Sequence, residues 1–161
     1  MFAGVPAARW ANTIAAGRFE AFLRVLQETA PALAQSVRAI GERPLTGFAG
    51  RAGYFRQSWG QGWALVGDAG YFKDPLTAHG ITDALRDAEL LTGAIVDGSP
   101  TALADYQRRR DAWSAGLFEI SDRIASFEWT LDTIGALLES LSREMADDVK
   151  RMVEWTATAT I

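Results

Sequence analysis

The sequence contains no cysteine and only one histidine, His79, among its 161 residues. Without cysteine the chain has no disulfide framework, no thiolate metal site and no cysteine nucleophile. A single imidazole excludes a histidine-cluster metal site within one copy, and we expect no metal to be bound. The absence of cysteine also fits a reducing compartment, and the expected localisation is cytoplasmic.

The sequence also lacks a basic excess and a long apolar run. The formal net charge is −4, whereas nucleic-acid binding needs a basic surface, so no nucleic-acid partner is expected. No window has the roughly 20 apolar residues of a membrane span. The apolar start, residues 1–6, is too short for a signal peptide and resembles the tail of a strand. It suggests that a segment precedes this sequence.

Apolar residues recur at helical spacing over most of the chain. The pattern predicts helical structure over residues 7–41, with a second helix opening at Pro31. It predicts another helix over 80–97, one from the N-cap Ser99 to Phe127, and a last one over 131–152. The helix over 80–97 carries one apolar stripe, formed by Ile81, Ala84, Leu85, Ala88, Leu91 and Ile95.

Between the helical regions the sequence becomes rich in glycine and aromatic residues. Two short strands are predicted, Tyr54–Arg56 and Trp63–Val66, separated by a turn at Gly60–Gly62. The second strand is apolar at successive positions, as in a parallel sheet covered on both faces. Such a sheet needs more strands than this sequence supplies. The expected fold is therefore an α/β fragment, mostly helical, with one or two strands and several amphipathic helices.

The most informative segment is residues 62–84. It predicts a short buried strand ending at Gly67 and Asp68, a turn at Pro75, and a helix that begins near Gly80. The Asp68 carboxylate can accept hydrogen bonds from ligand hydroxyls, and a helix N-terminus offers unpaired N–H groups and partial positive charge. This arrangement is typical of a site for a polyhydroxylated, negatively charged ligand.

These residues, together with Asp83–Ala88, resemble the second FAD-binding motif of a flavoprotein superfamily. That superfamily comprises the p-hydroxybenzoate-hydroxylase-like monooxygenases, the flavin-dependent halogenases and the geranylgeranyl-reductase-like enzymes. The resemblance implies the C-terminal portion of a Rossmann-like FAD-binding domain in an FAD-dependent oxidoreductase. It also implies FAD as cofactor, NAD(P)H as electron donor and a small organic molecule as substrate.

The resemblance further implies roles for individual residues. Gly67 and Asp68 are expected at the ribityl chain, and Pro75 beside the isoalloxazine ring. The helix N-terminus is expected to direct backbone groups at the flavin pyrimidine edge; these residues are Ala78, His79, Gly80 and Ile81. His79 is also the one candidate for acid–base catalysis, against the commoner alternative of a structural or solvent-exposed imidazole.

Three positions of the motif differ from many members of the family, so the motif does not identify the type of reaction. Tyr71, Ala78 and Thr82 stand where many monooxygenases of this group carry histidine, glycine and asparagine. Hydroxylation, halogenation and reduction are therefore all compatible with the resemblance.

The first FAD motif of the family, Gly-x-Gly-x-x-Gly after an N-terminal strand, does not occur in this sequence. We therefore expect the C-terminal part of a flavoenzyme. Residues 1–58 would end a substrate-binding region, residues 59–98 carry the second FAD motif, and residues 99–161 form C-terminal helices. The alternative is a non-catalytic remnant or helical interaction module that self-associates through uncovered apolar surface.

Two charged clusters have alternative interpretations. Asp83 and Asp87 could form a catalytic carboxylate pair, but they lie one turn apart at a helix start, where the helix dipole favours carboxylates in any protein. The dipole interpretation is preferred. The three arginines of residues 108–110 fan around a helix, so we expect a solvent-exposed face with one arginine paired to Asp105 or Glu119.

Overall fold

A computed structural model describes residues 3–14, 18–38 and 46–159. The chain divides into two compact units, Met1–Gly50 and Arg51–Ile161. The described part is mostly helical with a few short antiparallel strands. This agrees with a mostly helical α/β fragment, while the Rossmann-like assignment and the three-segment division remain predictions.

The described residues of the first unit form three helices: α1 (Ala7–Ile14), α2 (Arg18–Thr29) and α3 (Pro31–Ser36). Pro31 starts α3, as predicted, because its fixed φ suits a first helical position where no N–H is needed. The predicted helical continuation fails at Val37, which is extended, and residues 39–41 lie outside the described residues. Among the residues of this unit whose side chains are described, the buried apolar ones are Ala21, Val25, Leu26 and Ala34.

Between residues 51 and 159 the second unit forms four two-residue strands and three long helices. The strands are β1 (Tyr54–Phe55), β2 (Trp59–Gly60), β3 (Trp63–Ala64) and β4 (Tyr71–Phe72). Two 3-10 turns, Gly67–Ala69 and Pro75–Thr77, lead to α4 (Gly80–Asp97), α5 (Ala102–Ala125) and α6 (Leu131–Ala159). α5 packs against both α4 and α6. None of the helices built from described residues has the length and apolar character needed to cross a membrane.

The strands form two separate antiparallel pairs, β1 with β4 and β2 with β3. Gly62, at φ +81°, closes the β2–β3 hairpin in a conformation that favours glycine. The Trp63 side chain is 47% exposed. The interpretation of Trp63–Val66 as a parallel strand covered on both faces is therefore wrong. The tight glycine turn folds the segment back on Trp59, and the hairpin leaves the indole in contact with solvent.

The helix ends follow local sequence signals only in part. Gly98 ends α4 in the left-handed region at φ +62°, as expected for a C-terminal glycine. Ser99 is not an N-cap, because its hydroxyl donates to the Asp97 carboxylate at 2.6 Å and α5 begins only at Ala102. Phe127 lies beyond the end of α5 with φ +58°, so the predicted helix is slightly too long.

α4 directs its charged face toward the interior of the unit and its apolar face outward. Its buried residues are Asp83, Arg86, Asp87 and Leu90. The predicted apolar stripe lies largely on the other face, with Ile81 80% exposed and Leu85 69% exposed. The stripe is present in the sequence, but four of its six residues are exposed.

Candidate functional site

The backbone of the Gly67–Asp68 turn is held from two sides. Gly67 is buried at φ +54°, and a Cβ there would stand 2.9 Å from the Ala84 Cβ, so glycine is required for this packing on α4. Its N–H donates to Asp87 Oδ2 at 3.0 Å. The Tyr54 hydroxyl donates to the Asp68 carbonyl oxygen at 2.8 Å. The position of Asp68 is therefore set by α4 and β1 together.

The Asp68 side chain is exposed and lies beside the start of α4. Its Oδ1 is 3.8 Å from the position that a Cβ would take on Gly80. Within the described ranges no residue donates a hydrogen bond to this carboxylate. The carboxylate is thus available to an external donor.

The N-terminus of α4 has no side-chain cap. The first hydrogen bond of the helix runs from the Asp83 N–H to the His79 carbonyl, at 2.9 Å, and the His79 side chain does not cap it. The N–H groups of Gly80 and Ile81 therefore precede the hydrogen-bonded part of the helix. Because Asp68 Oδ1 lies 3.8 Å from the position that a Cβ would take on Gly80, the carboxylate is close to this helix start.

Pro75 begins a compact turn that leads into α4. The Asp74 carboxylate accepts a hydrogen bond from the backbone two residues on, at 3.1 Å. Ala78 ends the turn at φ +56°, a conformation that glycine adopts more easily. His79 Nδ1 donates to the Thr77 carbonyl at 3.0 Å, which leaves Nε2 as the acceptor of the neutral ring. The Pro75–Thr77 turn contacts α5. Ala78 and His79 follow the turn and connect it to the first residue of α4.

Behind the Gly67–Asp68 turn lies a cluster of buried charged side chains. Arg86 donates from Nη2 to Asp87 Oδ1 at 2.8 Å and from Nη1 to Asp83 Oδ1 at 3.1 Å. It also donates to the Ser114 hydroxyl at 2.9 Å, and Lys73 pairs with Asp83. We call these five residues the buried charge cluster. The helix dipole alone therefore does not explain Asp83 and Asp87. Both carboxylates are buried and form ion pairs, Asp83 with Lys73 and Arg86, and Asp87 with Arg86.

Arg110 is a third buried cation, after Lys73 and Arg86, and has no exposed side-chain surface. It donates to the Ser58 hydroxyl at 2.5 Å and to the Asp111 carboxylate at 2.5 and 2.9 Å. The expectation of a wholly solvent-exposed arginine run is wrong for this residue, because α5 turns it toward the interior of the unit. Arg108 is 76% exposed and pairs with Asp105, as predicted.

Burial changes the proton affinity of several groups near the cluster. It raises the pKa of the Asp87 carboxyl above its usual value, against the opposing effect of the neighbouring guanidinium groups. It raises the pKa of the Tyr71 hydroxyl, with a further contribution from the charge of Asp83. It raises the pKa of Tyr106, whose hydroxyl donates to the Leu65 carbonyl at 2.6 Å, to about 12. Both hydroxyls stay protonated at neutral pH.

The buried charge cluster is shielded from solvent, whereas Asp68 and Gly80, at the start of α4, are exposed. An exposed carboxylate beside a helix start can bind a polar ligand. Across residues 3–14, 18–38 and 46–159, no group of three or more acidic or histidine side chains is arranged to hold a metal ion. Sequence reasoning missed Lys73, Arg86 and Arg110. The available signal was the spacing of Asp83, Arg86 and Asp87, which places them on one helix face.

Comparisons with protein-family models, with curated proteins and with solved structures find no match to this chain. A functional assignment therefore depends on the residues of the site.

Proposed function

We propose that this chain binds the ribityl and isoalloxazine parts of FAD, as part of a monooxygenase-like FAD-dependent oxidoreductase. The observation that carries the proposal is the exposed Asp68 carboxylate, which has a fixed backbone and lies beside Gly80 at an uncapped helix N-terminus. The resemblance of residues 62–88 to a second FAD motif supports the same assignment.

The residues present suit the chemical groups of this ligand. The ribityl chain carries hydroxyl donors, and a carboxylate without a protein partner accepts hydrogen bonds from them. The N–H groups of Gly80 and Ile81 suit the negative charge of the reduced ring, an interaction worth about 0.3–1 kcal/mol at a helix N-terminus. Gly80 has no side chain to hinder a flat ring.

Bound FAD supplies the redox chemistry, with NAD(P)H as the proposed electron donor and a small organic molecule as substrate. The part of the chain is to position the cofactor. Asp68 orients the ribityl hydroxyls, and the start of α4 stabilises negative charge at the ring. His79 remains the candidate for moving a proton, through Nε2, because Nδ1 is engaged by the Thr77 carbonyl.

A flavin titration tests the proposal with a matched control. Quenching of FAD fluorescence is followed on the wild-type chain, on Asp68→Asn and on Asp132→Asn, which makes the same change on the exposed first turn of α6. Hydrogen bonds to a charged group contribute about 1.5–3 kcal/mol, so Asp68→Asn should weaken FAD binding roughly tenfold or more. Asp132→Asn should bind as the wild type does. Absence of FAD uptake by the wild type, or equal affinities of the two variants, would contradict the proposal.

A second candidate is a non-catalytic helical module that pairs with another copy of itself. The observation in its favour is the exposed apolar face of α4, which carries Ile81, Leu85, Ile95 and Val96. Exposed apolar surface of this kind is typical of contact faces. Light scattering after size-exclusion chromatography should then show a dimer that Leu85→Glu dissociates, and the chain should take up no FAD. A monomeric wild-type chain would exclude this candidate.

A further inference from the structure

Two arginines share one aromatic ring next to the Gly67–Asp68 turn. The guanidinium carbon of Arg51 lies 5.0 Å from the centre of the Tyr54 ring, and that of Arg56 lies 4.3 Å from the same point. The two guanidinium groups therefore cannot be farther apart than the sum of these distances. Backbone pairing from Arg56 N–H to the Gly70 carbonyl, at 3.1 Å, continues the β1–β4 ribbon and sets the position of Arg56.

Neither arginine has a counter-charge within the part of the chain that the structure describes. Both are exposed, and no carboxylate there forms an ion pair with either one. Two like charges at most about 9 Å apart repel by at least about 0.5 kcal/mol, even at the dielectric constant of water. An anion that contacts both guanidinium groups would offset this repulsion. The arrangement stands out in a chain whose net charge is −4.

The Tyr54 ring that both arginines contact is itself held in place. Its hydroxyl donates to the Asp68 carbonyl, and the ring stacks on Phe72 with centroids 5.9 Å apart. Cation–π contacts at exposed sites contribute about 0.5–1 kcal/mol each and restrict the arginine side chains. Each guanidinium then presents a planar fork of donors that matches two oxygens of a phosphoryl group.

We propose that Arg51, Tyr54 and Arg56 form a binding site for the pyrophosphate of a dinucleotide. Two separate forks suit two linked phosphoryl groups, each carrying negative charge. In FAD the ribityl chain leads directly to the pyrophosphate, and the Tyr54 hydroxyl connects this site to the carbonyl of Asp68. The identity of the dinucleotide as FAD rests on the proposed function. The phosphate contacts are assigned to residues 51–56, which contain no Gly-x-Gly-x-x-Gly sequence.

Inorganic pyrophosphate is the first probe, measured by isothermal titration calorimetry on the full chain. The double variant Arg51→Gln/Arg56→Gln should bind it at least tenfold more weakly than the wild type. The control Arg108→Gln/Arg109→Gln makes the same charge change at exposed positions of α5 and should change the affinity less than twofold. The wild-type affinity should fall as salt is raised. No binding by the wild type, or an equal loss in both double variants, would overturn the inference.

Riboflavin and FAD are the second pair of probes, because riboflavin has the ribityl chain and ring without phosphate. Arg51→Gln/Arg56→Gln should weaken FAD binding and leave riboflavin binding unchanged, whereas Asp68→Asn should weaken both. Unchanged FAD affinity in the arginine variant would overturn the inference and leave the proposed function standing. If pyrophosphate binds in an arginine-dependent way and neither flavin binds, the proposed function fails and the pyrophosphate site stands alone.

Folding of the variants is checked by circular dichroism, since both arginines are exposed and the helical signal should not change. Arg51→Lys/Arg56→Lys keeps the positive charges and removes the planar forks. It should lose pyrophosphate affinity by a smaller factor than the glutamine variant, and an affinity equal to that of the wild type would contradict recognition by the guanidinium forks.

Discussion

Replacing Asp87 by alanine removes the carboxylate that joins α4 to the Gly67–Asp68 turn. Oδ1 of Asp87 accepts hydrogen bonds from Arg86 Nη2 at 2.8 Å and Nε at 3.2 Å, and Oδ2 accepts one from the Gly67 N–H at 3.0 Å. The residue is fully buried. Its loss leaves a buried guanidinium with fewer partners and a buried N–H with none.

The expected cost follows from these contacts. Breaking a buried ion pair costs about 3–5 kcal/mol, and the lower end applies because Arg86 keeps Asp83 and Ser114. An unsatisfied buried N–H adds about 1–3 kcal/mol. We expect Asp87→Ala to lower the free energy of unfolding by about 4 kcal/mol. Asp87→Asn keeps one acceptor oxygen, and burial already raises the pKa of this carboxyl, so its cost should be about 2 kcal/mol.

Urea unfolding followed by tryptophan fluorescence measures this effect, because five of the six tryptophans lie in the second unit. With a slope of about 2 kcal/mol per molar urea, Asp87→Ala should lower the midpoint by about 2 M. The control is Arg108→Ala, which removes an exposed ion pair and should cost less than about 1 kcal/mol. If Asp87→Ala does not fold, Asp87→Asn provides the measurement. A cost for either Asp87 variant no larger than that of the control would refute the reasoning.

Two further predictions use the same unfolding assay. Gly67→Ala should destabilise the chain by about 1–3 kcal/mol, because the left-handed backbone and the 2.9 Å approach to Ala84 exclude a Cβ. The control Gly93→Ala, inside α4 with open space around it, should stabilise the chain by about 1 kcal/mol. Equal effects of the two substitutions would contradict the packing at Gly67. The pKa of Tyr106 is about 12 when folded and about 10 when unfolded, so its stabilising contribution is full below pH 10 and falls by about 2–3 kcal/mol as pH rises to 12. Tyr106→Phe should lose less stability than the wild type between pH 10 and 11.5, and parallel losses would show that this hydroxyl does not cause the decline.

Local signals predicted the elements that depend on neighbouring residues. Pro31 starts α3 and Gly98 ends α4. The predicted glycine turn is only partly confirmed, because Gly62 closes a hairpin but Gly60 belongs to β2, a strand that was not predicted. These features depend on backbone conformations that proline and glycine favour in any protein. Ser99 shows the limit, because its hydroxyl binds Asp97 instead of capping α5.

Local sequence signals did not predict which face of a helix is buried and which is exposed. The apolar stripe of α4 follows from residue spacing, but spacing does not reveal what a face contacts. The structure buries the charged face, because Lys73 pairs with Asp83 and Ser114 binds Arg86. One partner of Arg110 is Ser58, 52 residues earlier in the sequence.

The candidate site shows the same division between local and long-range effects. The grouping of Gly67, Asp68 and Gly80 in one motif came from the sequence, together with the expectation of a helix N-terminus beside a carboxylate. The hydrogen bonds from Gly67 to Asp87 and from Tyr54 to Asp68, and the two arginines on the Tyr54 ring, came only from the tertiary structure.

The sequence by itself determined the helical character, several helix ends and the residues of the Gly-Asp motif, since these depend on local conformational preference and spacing. Tertiary structure alone decided which charges are buried, which apolar face is exposed and what holds Asp68 in place. The physical reason is that ion pairs, burial and close backbone approach depend on residues that are distant in the sequence and adjacent only after folding.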